Sequence, residues 1–195
     1  LYTIFNDKIY TIEKLENMDE LYISSFNDNF SSDAVFYSKH IDGPMGLFPF
    51  IYVYRSIIGI TNNEYIVTEF PMHEKKFRLT QGSFLSFDYN RDIHYIYKDI
   101  TKAQPKYRIV LKVHYLIYPK LLKPYAKIIG RLNNLYNYLA RNLFLKTLNP
   151  TNVLSKIFTH LILSVTNNWY LIELYVGFNN IVYILSVCIL SYIFN

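Results

Sequence analysis

A chain of 195 residues, 51% of them hydrophobic, can fill one ordinary core and hardly two, and full disorder is excluded. The single cysteine, Cys188, excludes an internal disulfide framework and any cysteine-based zinc site. The net charge of +5 hides a division: residues 1–99 hold 14 acids and 9 Lys/Arg (net −5), and the remainder holds 11 basic residues and 1 acid, Glu173 (net +10). The acid-free stretch from Ile100 to Ile172 predicts an anionic partner, nucleic acid or lipid. The abundant Tyr and Phe accompany many Ile, Asn and Lys, as an AT-rich coding sequence produces, so aromatic richness is discounted as a signal. The chain opens at Leu1, with Asp7 and Lys8 interrupting the first residues, so no secretory signal is visible and an N-terminal truncation is compatible with this start.

Residues 1–37 form an N-terminal supporting segment of short apolar groups mixed with Asn, Asp and Ser. Ser24-Ser25 to Ser31-Ser32-Asp33 reads as loop, and Asn29-Phe30-Ser31 is a formal glycosylation acceptor. From there to Pro119, β-rich runs are separated by turn signals: Phe48–Ile60, Glu64–Phe70, Lys76–Thr80, Ser83–Tyr89, His94–Tyr97 and Tyr107–Tyr118. With Asn62-Asn63, Pro71 and Gly82 as punctuation, residues 38–119 predict a mainly β core, an antiparallel sandwich or jelly roll.

After Pro119 the period changes. Leu121, Tyr125, Ile128, Leu132, Leu135 and Leu139 recur at steps of four and three, a helical stripe, with Lys123, Lys127, Arg131 and Arg141 mostly off it. Residues 120–148 are therefore a basic amphipathic helix with Pro124 in its first turn, closed by Asn149-Pro150. Residues 149–195 are hydrophobic helices. Leu174–Phe194 has no charge, and its 21 residues match a bilayer at about 1.5 Å each, so a transmembrane span is expected, unless Asn179-Asn180 breaks it into a buried helix pair. Trp169, Tyr170 and Tyr175 would mark one interface. The basic helix before them favours membrane lipids over nucleic acid as the partner.

Of the five histidines, His40, His73, His94, His114 and His160, one set is spaced like a metal site. His40-Ile41-Asp42 puts an imidazole and a carboxylate on one side of an extended chain. His94 follows Asp42 by 52 residues, and Arg108 follows His94 by 14. Two nitrogens and a carboxylate on one face of Fe(II) leave positions open for oxygen and a chelating co-substrate. On the run Tyr107–Tyr118, Arg108, Val110, Lys112 and His114 alternate with Ile109, Leu111, Val113 and Tyr115. A polar face of this kind suits a barrel interior, or else an edge strand with its charges in water. Arg55 has the parity opposite to Tyr52, Tyr54 and Ser56, so only one set can face inward. His73 reads as a hairpin loop.

This order of residues resembles the Fe(II)/2-oxoglutarate-dependent oxygenase superfamily, whose jelly roll binds metal through His-x-Asp, a distal His and a late basic residue. The segment Gly82-Ser-Phe-Leu-Ser-Phe-Asp88, then His94, then Arg108-Ile-Val-Leu with Tyr118-Pro119 downstream, is similar to the aspartyl/asparaginyl β-hydroxylase-like branch. The likeness covers Ser38 to Pro119. That branch takes its first iron ligand from the strand after a His-x-Gly-Pro-like segment and lacks the carboxylate. Here the segment reads His40-Ile41-Asp42-Gly43-Pro44, and the following Ile51–Ile60 has Arg55 but no His. His40 and Asp42 thus make a full triad with His94, or the protein is a non-catalytic relative.

The resemblance implies a double-stranded β-helix (jelly roll) with C-terminal helices. It implies Fe(II) held by His40, Asp42 and His94, and 2-oxoglutarate as co-substrate on Arg108. Strand parity makes His114, on the face of Arg108, and Arg55 further candidate pocket contacts, or else a plainly hydrogen-bonded histidine and a surface or ion-paired arginine. The implied reaction is hydroxylation of a protein side chain of Asp/Asn type, or of a lipid or acyl chain. The alternative is a non-enzymatic, membrane-attached β-domain, a cupin-like module that binds a ligand or partner. Basic residues before the span predict a membrane-associated protein with its β-domain on the cytoplasmic side, whereas the related branch includes lumenal members.

Overall fold

The computed structural model describes residues 5–25, 38–147 and 153–194. The glycosylation acceptor at Asn29, the Ser31-Ser32-Asp33 loop and the Asn149-Pro150 stop lie outside the described residues. Among the described residues are eight strands in two antiparallel sheets, followed by helices. They are β1 (Tyr10–Lys14), β2 (Glu20–Ser25), β3 (Tyr52–Gly59), β4 (Ile66–Phe70), β5 (Lys75–Arg78), β6 (Phe84–Asp88), β7 (Tyr95–Lys98) and β8 (Tyr107–Pro119). The last six fall within a few residues of the runs expected from alternation. The helices are α1 (Lys123–Thr147), α2 (Val153–Tyr175) and α3 (Phe178–Phe194).

The larger sheet is organised by β8, whose 13 residues are rich in β-branched and aromatic side chains. Along one edge β8 pairs first with β2 (Arg108 opposite Ser24, Lys112 opposite Glu20) and then with β1 (Leu116 opposite Glu13). These two strands lie end to end, joined through a short 3-10 turn at Glu16–Met18. Its other edge pairs with β3, which pairs in turn with β6. The smaller sheet has the order β5-β4-β7. β8 is therefore a central strand, and its even-numbered side chains from Arg108 to Leu116 are buried while its odd-numbered ones from Tyr107 to Tyr115 are not. The edge-strand alternative is thereby overturned.

Ile57, Phe70, Leu79, Leu85, Phe87 and Val110 pack together, drawing on strands of both sheets. A second cluster, including Met18, Val53, Tyr89 and Leu116, is closed by Ala126 and Ile129 of α1. The two sheets are not closed into one barrel by the described hydrogen bonds.

The charge-free run Leu174–Phe194 is not one helix, which corrects the continuous span expected there. α2 ends at Tyr175, Gly177 takes φ +79°, and the chain restarts at Phe178 after a bend of 75°. A positive φ is readily adopted by glycine alone, so the break falls at Gly177 rather than at Asn179-Asn180. No single described helix is long and apolar enough to cross a membrane, and the bent pair passes only when its two helices are counted together. The new helix begins by docking: Phe178 is fully buried against Ile41, Ile93 and Trp169.

Candidate metal centre

His40 and His94 are brought together by backbone hydrogen bonding. Each donates its N–H to the carbonyl of the other at 3.0 Å, an antiparallel bridge that sets the segment around His40 beside the start of β7. Their rings stand 4.5 Å apart, centre to centre. Two residues beyond His40, Asp42 turns into the same space. The chain is then pinned by Gly43, whose N–H donates to the Tyr89 carbonyl at 2.9 Å. A Cβ on Gly43 would overlap Tyr89 and Asn90, so only glycine allows this approach.

Ligand atoms of His40, Asp42 and His94 lie within 4.8 Å of one another. His40 Nε2 is 3.7 Å from Asp42 Oδ1, and His94 Nε2 is 3.5 Å from Asp42 Oδ2. Donors about 2.1 Å from a shared ion, at angles between octahedral and tetrahedral, stand about 3.0–3.4 Å apart, so the three must draw inward from their 4.8 Å spread to close on a cation. The ring orientation is set from behind. His40 Nδ1 meets the Ser38 carbonyl at 2.8 Å, and His94 Nδ1 meets the Asp92 carbonyl at 3.0 Å. A carbonyl only accepts, so Nδ1 carries the proton in both rings, and a neutral ring then presents the Nε2 lone pair. Burial, with the His94 ring as the next cause, lowers the His40 pKa to about 4, so it is neutral at pH 7. Burial pushes the Asp42 carboxyl up, but Arg55, the two imidazoles and Lys112 together outweigh it and hold the group well below the usual carboxylate range. Two imidazole nitrogens and one carboxylate are a donor set for a divalent transition metal. Phe70 stacks on His94 and Phe87 lies against it, leaving the ring little room to turn.

Of the two residues expected as further pocket contacts, Arg55 lines the cavity beside the triad, and His114 is hydrogen-bonded to it. Arg55 is buried while Tyr52 and Tyr54 are only partly so, although Ser56, which shares their parity, is buried too. Arg55 Nη1 donates to Asp42 Oδ2 at 2.6 Å, its Nε donates to His114 Nε2 at 2.8 Å, and its guanidinium lies 4.5 Å over the Tyr89 ring. His114 sits opposite Arg55 in the β3–β8 register and is fully buried. Burial and then Arg55 depress its pKa, so it is the neutral acceptor this bond needs. The pair braces the carboxylate ligand.

Beside the triad is a cavity of about 50 Å³, room for a few waters, with Arg108 and Lys112 of β8 and Thr68 of β4 in its walls. Arg108 is buried where the alternation of β8 predicts. Lys112 was not singled out by the sequence, although it shares the parity of Arg108. Its ammonium lies 3.3 Å from Glu20 Oε2 and 4.5 Å over Tyr22, both on β2. Burial, then Arg55, lower its pKa to about 8, so it remains mostly charged near neutrality.

The remaining residues singled out by sequence stand apart from this centre. Asp88 organises the loop before His94: its Oδ1 accepts from the Asn90 N–H at 2.9 Å, and Oδ2 pairs with Arg91 at 3.1 Å. His73 lies in the turn between β4 and β5, as its hairpin reading predicts, and pairs with Asp92 at 3.0 Å. His160 is exposed on α2. No protein-family model matches this chain, and no curated protein matches it in sequence.

Proposed function

We propose that this protein is an Fe(II)/2-oxoglutarate-dependent dioxygenase with a jelly-roll core, acting on a protein side chain or an acyl chain. The observation that carries this reading is the convergence of His40, Asp42 and His94 beside a cavity that three buried cations, Arg55, Arg108 and Lys112, line. The winding supports the jelly roll. The chain passes from β3 in the large sheet to β4 and β5 in the small one, back to β6, across to β7 and back to β8. The isolated His40–His94 bridge holds the segment around His40 beside the start of β7.

His40, Asp42 and His94 would hold the iron, which when bound with 2-oxoglutarate supplies oxidation of an unactivated C–H bond by O₂. The chain's own share is positioning and exclusion of water. The Ser38 and Asp92 carbonyls hold both imidazoles in the ligating tautomer. Arg55 fixes the plane of the Asp42 carboxylate. Arg108 offers a planar fork suited to the remote carboxylate of a keto-diacid, and Lys112 adds a further positive charge to the same walls.

One contact favours a second reading, a cupin-like binding module without chemistry. The Arg55 guanidinium already compensates Asp42 in the absence of a metal, as in a self-sufficient polar core.

The deciding experiment is anaerobic addition of iron and 2-oxoglutarate, followed by air. The oxygenase reading expects a weak visible charge-transfer band, then succinate, with both absent in His94→Ala. Identical behaviour of parent and variant would establish the binding module instead.

A further inference from the structure

Helix α1 packs on the sheet with the wrong face for a simple core helix. Among its described residues, the buried ones are Ala126, Ile129, Gly130 and Asn133, with Tyr125 packed partly against the same core. Gly130 allows the close approach, since a Cβ there would stand 3.1 Å from the Leu116 side chain. Four members of the apolar stripe that the sequence displays point elsewhere: Ile128, Leu132, Leu135 and Leu139 are 56%, 36%, 54% and 49% exposed. At about 100° per residue, the centre of this stripe lies roughly 140° round the helix from the packed face. Lys123, Lys127 and Arg131, all exposed, run along its edge, and α1 contains no acid.

α3 adds an independent observation. Tyr183, Ile184, Leu185, Val187, Ile189 and Leu190 are all at least 44% exposed, and they lie all round that helix. A second copy of the chain, or one protein partner, covers one face of a helix. An acyl phase covers every side. α3 has 17 residues, about 25 Å of helix and short of a 30 Å hydrocarbon core, and the bend at Gly177 sets it at 75° to α2. α1 is tied to β8 through Ile129 and Gly130 and cannot leave the sheet to cross a bilayer.

From this geometry we infer that the protein lies on an anionic bilayer, with the Ile128/Leu132/Leu135/Leu139 stripe of α1 in the acyl boundary and the Lys123/Lys127/Arg131 edge among the headgroups. An in-plane amphipathic helix with a basic edge is the form such binding takes, and the apolar helix α3 adds depth to it. The inference is independent of the metal centre, and its failure would leave the oxygenase reading standing.

The test is flotation of the full chain with phosphatidylcholine vesicles, with and without phosphatidylserine. Binding is expected to the phosphatidylserine vesicles, weakened by salt. Ile128→Ser/Leu132→Ser/Leu135→Ser should weaken it by at least about tenfold, and Lys123→Glu/Lys127→Glu/Arg131→Glu by on the order of a hundredfold. Both sets of side chains are exposed, so both variants should keep the parent's circular dichroism and melting temperature. Equal binding to both vesicle types, or parent-like binding by either variant, overturns the inference. So does a stripe variant that turns a dimer into a monomer while vesicle binding is unchanged, which would identify the occupant as a second copy.

Discussion

Arg55 donates from Nη1 to Asp42 Oδ2 at 2.6 Å, so the carboxylate of the triad is charge-compensated before any cation arrives. Both groups are largely buried, and removing one partner of such a pair strands the other charge, at a cost of about 3–5 kcal/mol. Arg55→Met should therefore lower the melting temperature of the metal-free protein. Mn(II), replacing the lost positive charge, should raise it by more in Arg55→Met than in the parent. Equal metal-induced increments in the two proteins would show that the guanidinium and the cation do not share the carboxylate.

The three ligands should be separately necessary. His40→Ala, Asp42→Ala and His94→Ala each remove one of three protein donors. Each is expected to lower Mn(II) or Co(II) affinity by at least about a hundredfold in calorimetric titration, more than second-sphere changes produce. His73→Ala, whose imidazole pairs with Asp92 outside the triad, serves as the control and should titrate like the parent. An unaltered affinity in His94→Ala would sink the centre.

Phe178 connects the helices to the metal site. It is fully buried against Ile41, which lies between His40 and Asp42, and against Ile93, which precedes His94. Phe178→Ala should cost about 3–5 kcal/mol through the cavity it leaves, and loosening of both ligand segments should lower metal affinity by about tenfold. Gly46→Ala tests the same contact from the other side, because its new methyl would overlap the Phe178 ring. Measuring affinity well below each variant's melting temperature separates the two effects. A destabilised Phe178→Ala with parent affinity would show that the docking does not support the ligands.

Acid should act on three buried groups, with His40 and His114 opposed by Asp88. The folded pKa of His40 is lowered from 6.5 to about 4, so between those values the unfolded chain holds the extra proton and stability falls as pH falls, by about 3 kcal/mol in all. Burial raises the Asp88 pKa from 3.8 to about 6 despite Arg91, so there the folded state holds the extra proton and stability rises as pH falls, by a similar amount. His114, whose pKa burial also depresses, adds a second loss over the same window, so the metal-free parent should lose stability between pH 6 and 4. Asp88→Asn, which removes the opposing titration, should lose it more steeply over the same window in urea melts. Parallel profiles for parent and variant would refute this balance.

The period-two alternation made six of the eight strands legible, because residues that alternate in burial must alternate in hydropathy. It also identified the inward face of β8, with Arg108 and His114 on it, and the His-x-Asp pair. β1 and β2 were not legible. They are short and carry little alternation, and their place beside β8 is set by long-range pairing, which also hid the Glu20 and Tyr22 partners of Lys112.

Arg55 shows the same limit within the site. Its inward parity could be posed from sequence, but its bond to Asp42 depends on β3 lying beside β8 and on the His40 bridge to β7, both pairings between distant residues. On α1, periodicity located the leucine stripe correctly, yet the sheet took the face of Ala126 and Gly130. Periodicity reports which side chains share a face. Only tertiary packing decides which face is covered, because close approach favours small residues there and leaves the larger apolar ones to meet something else. Composition, strand alternation and ligand spacing were thus written in the chain itself. The convergence of three distant donors, the brace behind them and the outward leucine stripe were decided by the fold, because each depends on contacts between residues far apart in sequence.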